Sequence, residues 1–330
     1  MGAQTRDKPY DAGTREFLSG VAMSLEMDGD ATHRLFLPAA RTGRRVPLLV
    51  MLHGCQQNAA DFAAATRMNV LAETEGFAVL YPQQSTHANP LRCWNWFLPL
   101  TLRLEARAIA RLIVRIGRAH AIDRERVYVA GMSAGAVMAR TLAVRHAQLF
   151  AACAVHSGLM YGAAATAMQG MAAMRSGSTA APAVTGAAAV AAMGLRPRLV
   201  PMLVMHGTAD AVVASRNADQ LVEQFLVMDA LIHRRAAPLH PASERSVDYA
   251  GRQCRIVDYS RDGRVLLRRC LIEGLGHAWS GGDAAYEFSD AHPPSASELL
   301  WDFVSGHGRP KAGRVNLRAW WRRLRVALRD

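Results

Sequence analysis

The sequence predicts an α/β fold in which a mostly parallel central sheet carries helices on both faces. Short runs rich in β-branched residues alternate with longer stretches of helical periodicity, and this alternation is typical of such a covered sheet. With 330 residues, 51% of them hydrophobic, the chain can bury a large core as one domain. We expect that domain over residues 17–308, after an extension over residues 1–16 and before a basic tail over residues 309–330.

The individual elements follow from short apolar runs and from apolar spacing. The predicted strands are Leu48–Leu52, Phe77–Tyr81, Val127–Ala130, Ala151–Val155, Val200–Met205 and a strand that ends near Ile272. A helix with one buried face is predicted from apolar residues at helical spacing, namely Leu104, Ala108, Leu112, Ile113 and Ile116.

A serine between two glycines marks one strand-to-helix junction. Gly131-Met132-Ser133-Ala134-Gly135 follows the strand Val127–Ala130, and a helix is predicted from Ala134 to Val144. This arrangement is the nucleophile elbow of α/β-hydrolases, a turn so tight that the serine takes strained backbone angles. Glycine on either side avoids the collisions that larger residues would cause. We therefore expect an α/β-hydrolase fold with Ser133 as the nucleophile.

A serine nucleophile needs a base and an orienting acid, and in this fold they follow in the order serine, acid, histidine. Asp210 leaves the carboxyl end of the strand Val200–Met205, which makes it the candidate acid, and Asp219 on the helix that follows is the alternative. His277 lies in a late glycine-rich loop after the strand ending near Ile272, which makes it the candidate base.

The negative charge of a tetrahedral intermediate needs two backbone N–H donors. One is expected from Ala134, the residue after the nucleophile, and the other from the loop after the strand Leu48–Leu52. In that loop the donor is Cys55 or, as the alternative, Gln56. His53 in the same loop is interpreted as a structural residue rather than a catalytic one.

Five segments together resemble the poly(3-hydroxybutyrate) depolymerase family of esterases. They are Leu52-His53-Gly54-Cys55, Cys93-Trp94-Asn95-Trp96-Phe97, Gly131-Met132-Ser133-Ala134-Gly135, His206-Gly207-Thr208-Ala209-Asp210 and Gly276-His277-Ala278-Trp279-Ser280-Gly281-Gly282. The second and fifth are the most specific, and the resemblance runs from about Phe17 to about Val304. It implies hydrolysis of short-chain hydroxyalkanoate esters or polyesters. Feruloyl and acetylxylan esterases share the layout and are the alternative.

Three tryptophans and one segment are candidates for substrate contact. Trp279 is expected to contact the ester, and of Trp94 and Trp96 one is expected to line the cleft while the other packs beneath it. Residues 161–194 are rich in Ala, Gly and Met and lie between the sixth strand and the acid strand. They form either a mobile apolar lid or a helix pair packed on the sheet edge.

The five cysteines suggest two disulfides and one buried thiol. Cys55 and Cys93 both lie in the family segments near the oxyanion loop, which favours a bridge between them. A hairpin with a three-residue loop around Asp262-Gly263 would place Cys254 opposite Cys270, about 4.5–5.5 Å apart between Cα atoms, within disulfide range. Cys153 lies in an apolar run and is expected to be a buried thiol. The alternative is that all five are reduced, as in cytosol.

The charge is concentrated in the tail. Residues 309–330 contribute +7 of the net +12, and no nucleic-acid motif is present, so nucleic acid is not an expected partner. Apolar and basic residues in the tail recur at helical spacing, which predicts a basic amphipathic helix on an anionic membrane or granule surface. They are Leu317, Trp321, Leu324 and Leu328, followed by Arg318, Arg322, Arg325 and Arg329, with Trp320 nearby. The alternative is a helix packed on its own domain.

The remaining expectations concern cofactor, location and class of protein. No metal-ligand cysteine cluster and no phosphate-cradling glycine loop occurs in the sequence, so no cofactor or metal is expected. Residues 1–18 are polar and charged and show no signal peptide. The family and the cysteines favour export, and a cytoplasmic location is the alternative. A non-catalytic surface-binding protein on a hydrolase fold is the competing function, which the complete order of serine, acid and histidine disfavours.

Overall fold

The computed structural model describes residues 24–28, 31–39, 44–234 and 239–309. Its strands are β1 (Ser24–Asp28), β2 (Ala31–Phe36), β3 (Val46–Leu52), β4 (Ala78–Pro82), β5 (Ile122–Met132), β6 (Ala152–His156), β7 (Met202–Gly207), β8 (Pro241–Tyr249), β9 (Arg252–Arg261), β10 (Arg264–Ile272), β11 (Trp279–Ser280) and β12 (Ser289–Asp290). Its α-helices are α1 (Ala59–Thr66), α2 (Met68–Glu75), α3 (Pro99–Ala119), α4 (Ala134–Arg145), α5 (Ala167–Ser176), α6 (Pro182–Ala192), α7 (Arg216–His233) and α8 (Ala296–Ser305).

Ten of these strands form one sheet in the order β1-β2-β4-β3-β5-β6-β7-β10-β9-β8. The six strands from β4 to β10 in that order are mutually parallel, and antiparallel strands flank them on both sides. Because β4, β3, β5, β6 and β7 run in the same direction, their carboxyl ends meet at one edge, which we call the catalytic edge because the expected nucleophile Ser133 directly follows β5 there. The expected mostly parallel sheet is confirmed.

Helices cover both faces, as alternation along β3 illustrates. Leu48 and Val50 belong to the core cluster that contains the apolar sides of α3, α4 and α7. Leu49 and Met51 belong to the cluster on the other face, with α1, α2 and α8. Successive strand residues point to opposite faces, so an uninterrupted apolar strand is the pattern of a sheet buried on both sides.

The buried face of α3 differs from the prediction at its N-terminal half. Leu104 is 59% exposed, and Ala108 is also exposed. The helix instead buries Leu102, Ala106, Ile109, Ile113 and Ile116, which form an equally regular helical series. Two overlapping apolar series are present in this stretch, and spacing alone does not tell which of them faces the sheet.

The β9–β10 hairpin is present, but the predicted Cys254–Cys270 disulfide is wrong. The turn has two residues, Asp262 and Gly263, both with positive φ, and a bulge between Val265 and Leu267 shifts the register once more. Cys254 therefore lies opposite Ile272, two residues from the expected partner, and Cys254 and Cys270 are buried free thiols. Cys153 is a buried free thiol, as predicted.

Residues 161–194 contain the helix pair α5 and α6. Helix α6 packs on α7 and α4, and α5 packs on α7. Gly170 of α5 lies against Trp96, because a Cβ at this position would be 3.1 Å from the indole. The segment is thus a helix pair packed on neighbouring helices, and a role for it as a lid stays a prediction.

The described chain ends at the sheet edge opposite the catalytic edge. The Arg309 backbone N–H donates to the carbonyl of Glu125, near the beginning of β5, over 2.8 Å. Both the predicted extension over residues 1–16 and the tail beyond Arg309 lie outside the described residues. Among the helices that the structure describes, none is long and apolar enough to cross a membrane.

Candidate active site

Ser133 stands at the junction of β5 and α4 with strained backbone angles. Its φ is +55° and its ψ is −121°, a conformation that non-glycine residues rarely adopt. Its backbone N–H donates to the carbonyl of His156, at the end of β6, over 3.0 Å. The predicted strand, turn and helix are all present, and the turn places Ser133 at the catalytic edge.

The glycines beside Ser133 are required by close backbone contacts. A Cβ on Gly131 would lie 2.4 Å from the carbonyl carbon of Gly135, and a Cβ on Gly135 would lie 2.1 Å from the Leu52 carbonyl oxygen. These distances are far below any ordinary contact, so neither position accepts a side chain. The same contact presses the start of α4 against the end of β3, next to the loop that begins at His53.

Asp210 and His277 meet at the catalytic edge although 67 residues separate them. The His277 Nδ1 lies 2.8 Å from the Asp210 Oδ2, and both side chains are almost fully buried. The other carboxylate oxygen, Oδ1, accepts the backbone N–H groups of Val212 and Val213 at 3.0 and 2.8 Å. These bonds fix the carboxylate, and the carboxylate in turn fixes the imidazole.

The electrostatic environment favours the ionised form of Asp210. Burial raises the pKa of its carboxyl, but hydrogen bonds from His206 and His277, the charge of His277 and the Val213 N–H outweigh burial. The pKa of Asp210 therefore lies well below its ordinary value. This carboxylate stays ionised beside an imidazole throughout the neutral range.

A second histidine, His206, contacts the same carboxylate and was not predicted. Its Nε2 lies 3.5 Å from the Asp210 Oδ2 and donates to the Val213 carbonyl over 2.8 Å. His206 is fully buried at the end of β7, so it braces both ends of the turn that carries Asp210. The sequence signal was its position four residues before the acid, in the segment His206-Gly207-Thr208-Ala209-Asp210.

Asp219, the alternative acid, lies elsewhere. It is in the first turn of α7, its side chain is about half exposed, and it forms an ion pair with Arg269 of β10. Its carboxylate therefore has a basic partner of its own, whereas the contact to His277 is made by Asp210.

The loop after β3 carries the predicted oxyanion donor. The Gln56 N–H donates to the Leu91 carbonyl over 2.7 Å, so this group is already engaged and Cys55 remains the candidate. The predicted Cys55–Cys93 disulfide is confirmed, with Cα atoms 4.3 Å apart. It ties this loop to the segment after β4.

His53 is buried in the same loop and its ring is held at both nitrogens. Nδ1 lies 2.8 Å from the Gly54 carbonyl, and the Gln84 backbone N–H donates to Nε2 over 3.1 Å. Burial lowers the pKa of His53 to about 4, helped by the charge of Arg92 and opposed by the bond to Gly54. His53 is therefore neutral near pH 7, in keeping with the interpretation that it is no acid or base.

The tryptophans are more deeply buried than predicted. Trp279 is 1% exposed, stacks on His156 with ring centroids 5.1 Å apart, and donates to the Ser297 hydroxyl over 3.1 Å. This burial contradicts the expectation that Trp279 contacts substrate, because it is a core residue beneath the site. Trp94 and Trp96 are also buried, so neither forms an open cleft wall. The Trp94 indole N–H donates to the His53 carbonyl over 3.0 Å.

Metal ligation is absent from the part of the chain that the structure describes. No group of three or more His, Cys, Asp or Glu side chains within these ranges is placed to hold a metal ion. The polar groups at the catalytic edge are instead those of a serine turn, a histidine–aspartate pair and a loop of backbone N–H groups. The fold and this edge define the chain as an α/β-hydrolase.

Comparison with known proteins gives the family. Residues 31–246 match the family described as Esterase PHB depolymerase, and the chain belongs to this family. A stretch of 238 residues is 36% identical to poly(3-hydroxyalkanoate) depolymerase C of Paucimonas lemoignei, covering 70% of this chain and 54% of that protein. Feruloyl esterase B of Thermothelomyces thermophilus is 29% identical over 197 residues, covering 54% of this chain and 64% of that protein.

A solved structure shares the fold. The acetyl xylan esterase from Aspergillus awamori superposes with a TM-score of 0.68 at 18% identity, covering 86% of this chain and 99% of that one. This likeness supports the fold assignment. The chain spans 54% and 64% of the lengths of the two curated relatives above.

Proposed function

We propose that this protein is a serine carboxylic ester hydrolase with Ser133 as nucleophile, His277 as general base and Asp210 as the orienting acid. The observation that carries the proposal is the 2.8 Å contact between His277 Nδ1 and Asp210 Oδ2, at the edge where Ser133 stands in its strained turn. Three residues far apart in sequence have little structural reason to converge there with these chemical types.

In the proposed reaction, Ser133 Oγ attacks the ester carbonyl carbon while His277 Nε2 accepts its proton. Because His277 Nδ1–H donates to Asp210, Nε2 is left as the acceptor, and the ionised carboxylate stabilises the imidazolium that forms. The imidazolium then protonates the departing alcohol and leaves an acyl group on Ser133. A water molecule, activated by the same imidazole, releases the acid and restores the serine.

The oxyanion of each tetrahedral intermediate is assigned to the backbone N–H groups of Cys55 and Ala134. Ala134 is the first residue of α4, so its N–H lies at the helix N-terminus, where the aligned peptide dipoles favour negative charge. The Cys55 donor belongs to a loop fixed by a disulfide, and preorganised donors of this kind need no reorganisation during the reaction.

For the substrate we propose short-chain hydroxyalkanoate esters and oligomers or polyesters of the polyhydroxybutyrate type. The 36% identity to a protein named as a poly(3-hydroxyalkanoate) depolymerase supports this class. The alternative is a feruloyl or acetylxylan esterase, which the 29% identity to a feruloyl esterase supports. A side-by-side panel of p-nitrophenyl butyrate, hydroxybutyrate oligomers, emulsified polyhydroxybutyrate, methyl ferulate and acetylated xylan separates them, and a preference for either of the last two would favour the alternative.

Paired substitutions test the proposed catalytic residues. Ser133→Ala should reduce turnover of p-nitrophenyl butyrate by about five to six orders of magnitude without loss of fold, because the nucleophile is removed. Asp210→Asn should reduce it by about four orders of magnitude. Asp219→Asn is the matched control and should keep wild-type turnover, since its partner is Arg269.

Either of two results would reject these assignments. Most of the activity remaining in Ser133→Ala would show that Ser133 is not the nucleophile; wild-type protein without activity on p-nitrophenyl butyrate would instead favour the non-catalytic surface-binding protein. A larger loss in Asp219→Asn than in Asp210→Asn would show that the acid is wrongly assigned. Contact between residues 309–330 and an anionic membrane or granule surface stays a separate proposal, tested by co-sedimentation with anionic vesicles before and after deletion of residues 314–330.

A further inference from the structure

We infer that His53 is a positioning residue for the oxyanion donor, because its Nδ1–H bond to the Gly54 carbonyl orients the peptide whose N–H belongs to Cys55. The inference rests on the proposed function, since it assigns a role in the same site. His53 acts through the backbone of its own loop and has no contact with the reacting atoms in this proposal.

The geometry of one peptide unit is the first step. In a trans peptide the carbonyl and the N–H point in opposite directions. The Gly54 carbonyl is directed at the His53 ring, 2.8 Å from Nδ1, so the Cys55 N–H points away from that ring. The loop also passes directly beside the nucleophile, because a Cβ built on Gly54 would be 3.5 Å from the Ser133 Cβ.

The orientation of Gly54 is controlled from both sides. Its own N–H donates to the Gln57 Oε1 over 2.8 Å, while its carbonyl is held by His53. With no side chain of its own, Gly54 could otherwise rotate its flanking peptides readily. The two side chains therefore define the direction in which the Cys55 N–H points.

The tautomer of His53 is set by a third group. The Gln84 backbone N–H donates to Nε2, so the proton of the neutral ring must be on Nδ1, where it can be donated to Gly54. Full burial keeps the ring neutral and lowers the pKa of His53 to about 4. A protonated ring would instead oppose the Gln84 N–H and break this arrangement.

A carboxylate on α3 holds Gln84 in turn. The Glu105 Oε1 accepts from the side-chain amides of Gln84 and Asn95 at 2.7 and 2.6 Å, and its Oε2 accepts the Asn95 backbone N–H at 3.0 Å. The Gln84 amide also donates to the Cys93 carbonyl over 3.2 Å. Glu105 thus braces both the partner of His53 and the segment that carries the disulfide.

Two substitutions at His53 separate positioning from packing. In His53→Asn the amide nitrogen can replace the Nδ1 donor to Gly54, whereas in His53→Gln the longer side chain reaches the Nε2 position and loses that donor. We expect His53→Asn to keep kcat on p-nitrophenyl butyrate within about threefold. We expect His53→Gln to lower kcat by about 10- to 100-fold with KM nearly unchanged, because the donor acts in the transition state.

His307→Asn is the matched control. Like His53, His307 is a buried histidine whose two ring nitrogens contact backbone groups. Its partners are the carbonyls of Phe303 and Val265, and it lies near the last described residue. It should lose thermal stability and keep kcat. If the role of His53 were purely structural, His53→Gln would keep wild-type kcat, or both His53 variants would lower kcat equally. Either result would overturn the inference.

A substitution of Glu105 tests the inference independently if the His53 variants do not fold. Glu105→Gln replaces one carboxylate oxygen by an amide that cannot accept, so Gln84 and Asn95 lose part of their support, and kcat should fall by roughly three- to tenfold. Wild-type kcat in a folded Glu105→Gln protein would overturn the inference. Activity retained in Ser133→Ala would defeat the proposed function itself, whereas an inactive Ser133→Ala with a fully active His53→Gln would defeat this inference alone.

Discussion

Gly207→Ala should lower turnover although Gly207 contributes no side chain to the site. Gly207 ends β7, and a Cβ at this position would lie 2.1 Å from the Leu275 carbonyl oxygen and 2.8 Å from that of Gly276. Both contacts are with the backbone directly before His277. Restoring an ordinary carbon–oxygen contact of about 3.3 Å requires the two loops to separate by about 1 Å.

That displacement acts on the hydrogen bond between the acid and the base. The His277 Nδ1 to Asp210 Oδ2 distance of 2.8 Å would lengthen to about 3.8 Å, beyond hydrogen-bond range. A misplacement of this size costs about 100-fold in turnover, and the overpacking costs about 1–3 kcal/mol of stability. The assay is kcat/KM on p-nitrophenyl butyrate, together with the urea dependence of unfolding.

Gly117→Ala is the matched control for this prediction. Gly117 lies in α3, and a Cβ there meets no atom within 4 Å. Alanine is the better helix former, so this variant should gain about 0.5–1 kcal/mol of stability and keep full activity. Wild-type kcat/KM in Gly207→Ala would refute the argument that backbone contact between the two loops sets the alignment of Asp210 and His277.

Two further predictions concern pH and thiols. The pKa of Asp210 is held below its ordinary value of 3.8, so its stabilising contribution is complete above that value and is lost as the pH falls towards the lowered folded pKa. The unfolding free energies of wild type and Asp210→Asn should therefore converge below about pH 4, and a constant difference down to acid pH would contradict this. Denatured, unreduced protein should react with Ellman's reagent at three thiols, those of Cys153, Cys254 and Cys270. Five reactive thiols would exclude the Cys55–Cys93 bridge, and one would indicate a second bridge.

The sequence was most informative where function requires a local backbone shape. The turn at Ser133 needs glycine at two positions within five residues, so it can be recognised without any knowledge of the rest of the fold. Asp210 and His277 were predicted from chain order, since each strand of a parallel sheet ends at the same edge.

Features that depend on tertiary packing could not be predicted in the same way. A two-residue turn in place of the expected three-residue loop and one bulge in β10 each shifted the register by one residue, so Cys254 lies two residues from its expected partner, and nothing in the local composition indicates that bulge. Trp279 is two residues from His277 in sequence but packs beneath the site, because the chain turns between them, where the Ala278 N–H donates to the Gly276 carbonyl. The contact of His206 with Asp210 depends on the conformation of the turn between them. The four-residue spacing alone does not specify that conformation.

The attachment of Arg309 to Glu125 has a practical consequence for immobilising the enzyme. Glu125 and Ser133 are eight residues apart along the chain through β5, which corresponds to about 26 Å of extended strand. A resin or electrode coupled after Arg309 would therefore hold the protein by the edge opposite its serine. The catalytic edge would face the bulk solution, where dissolved or suspended esters arrive.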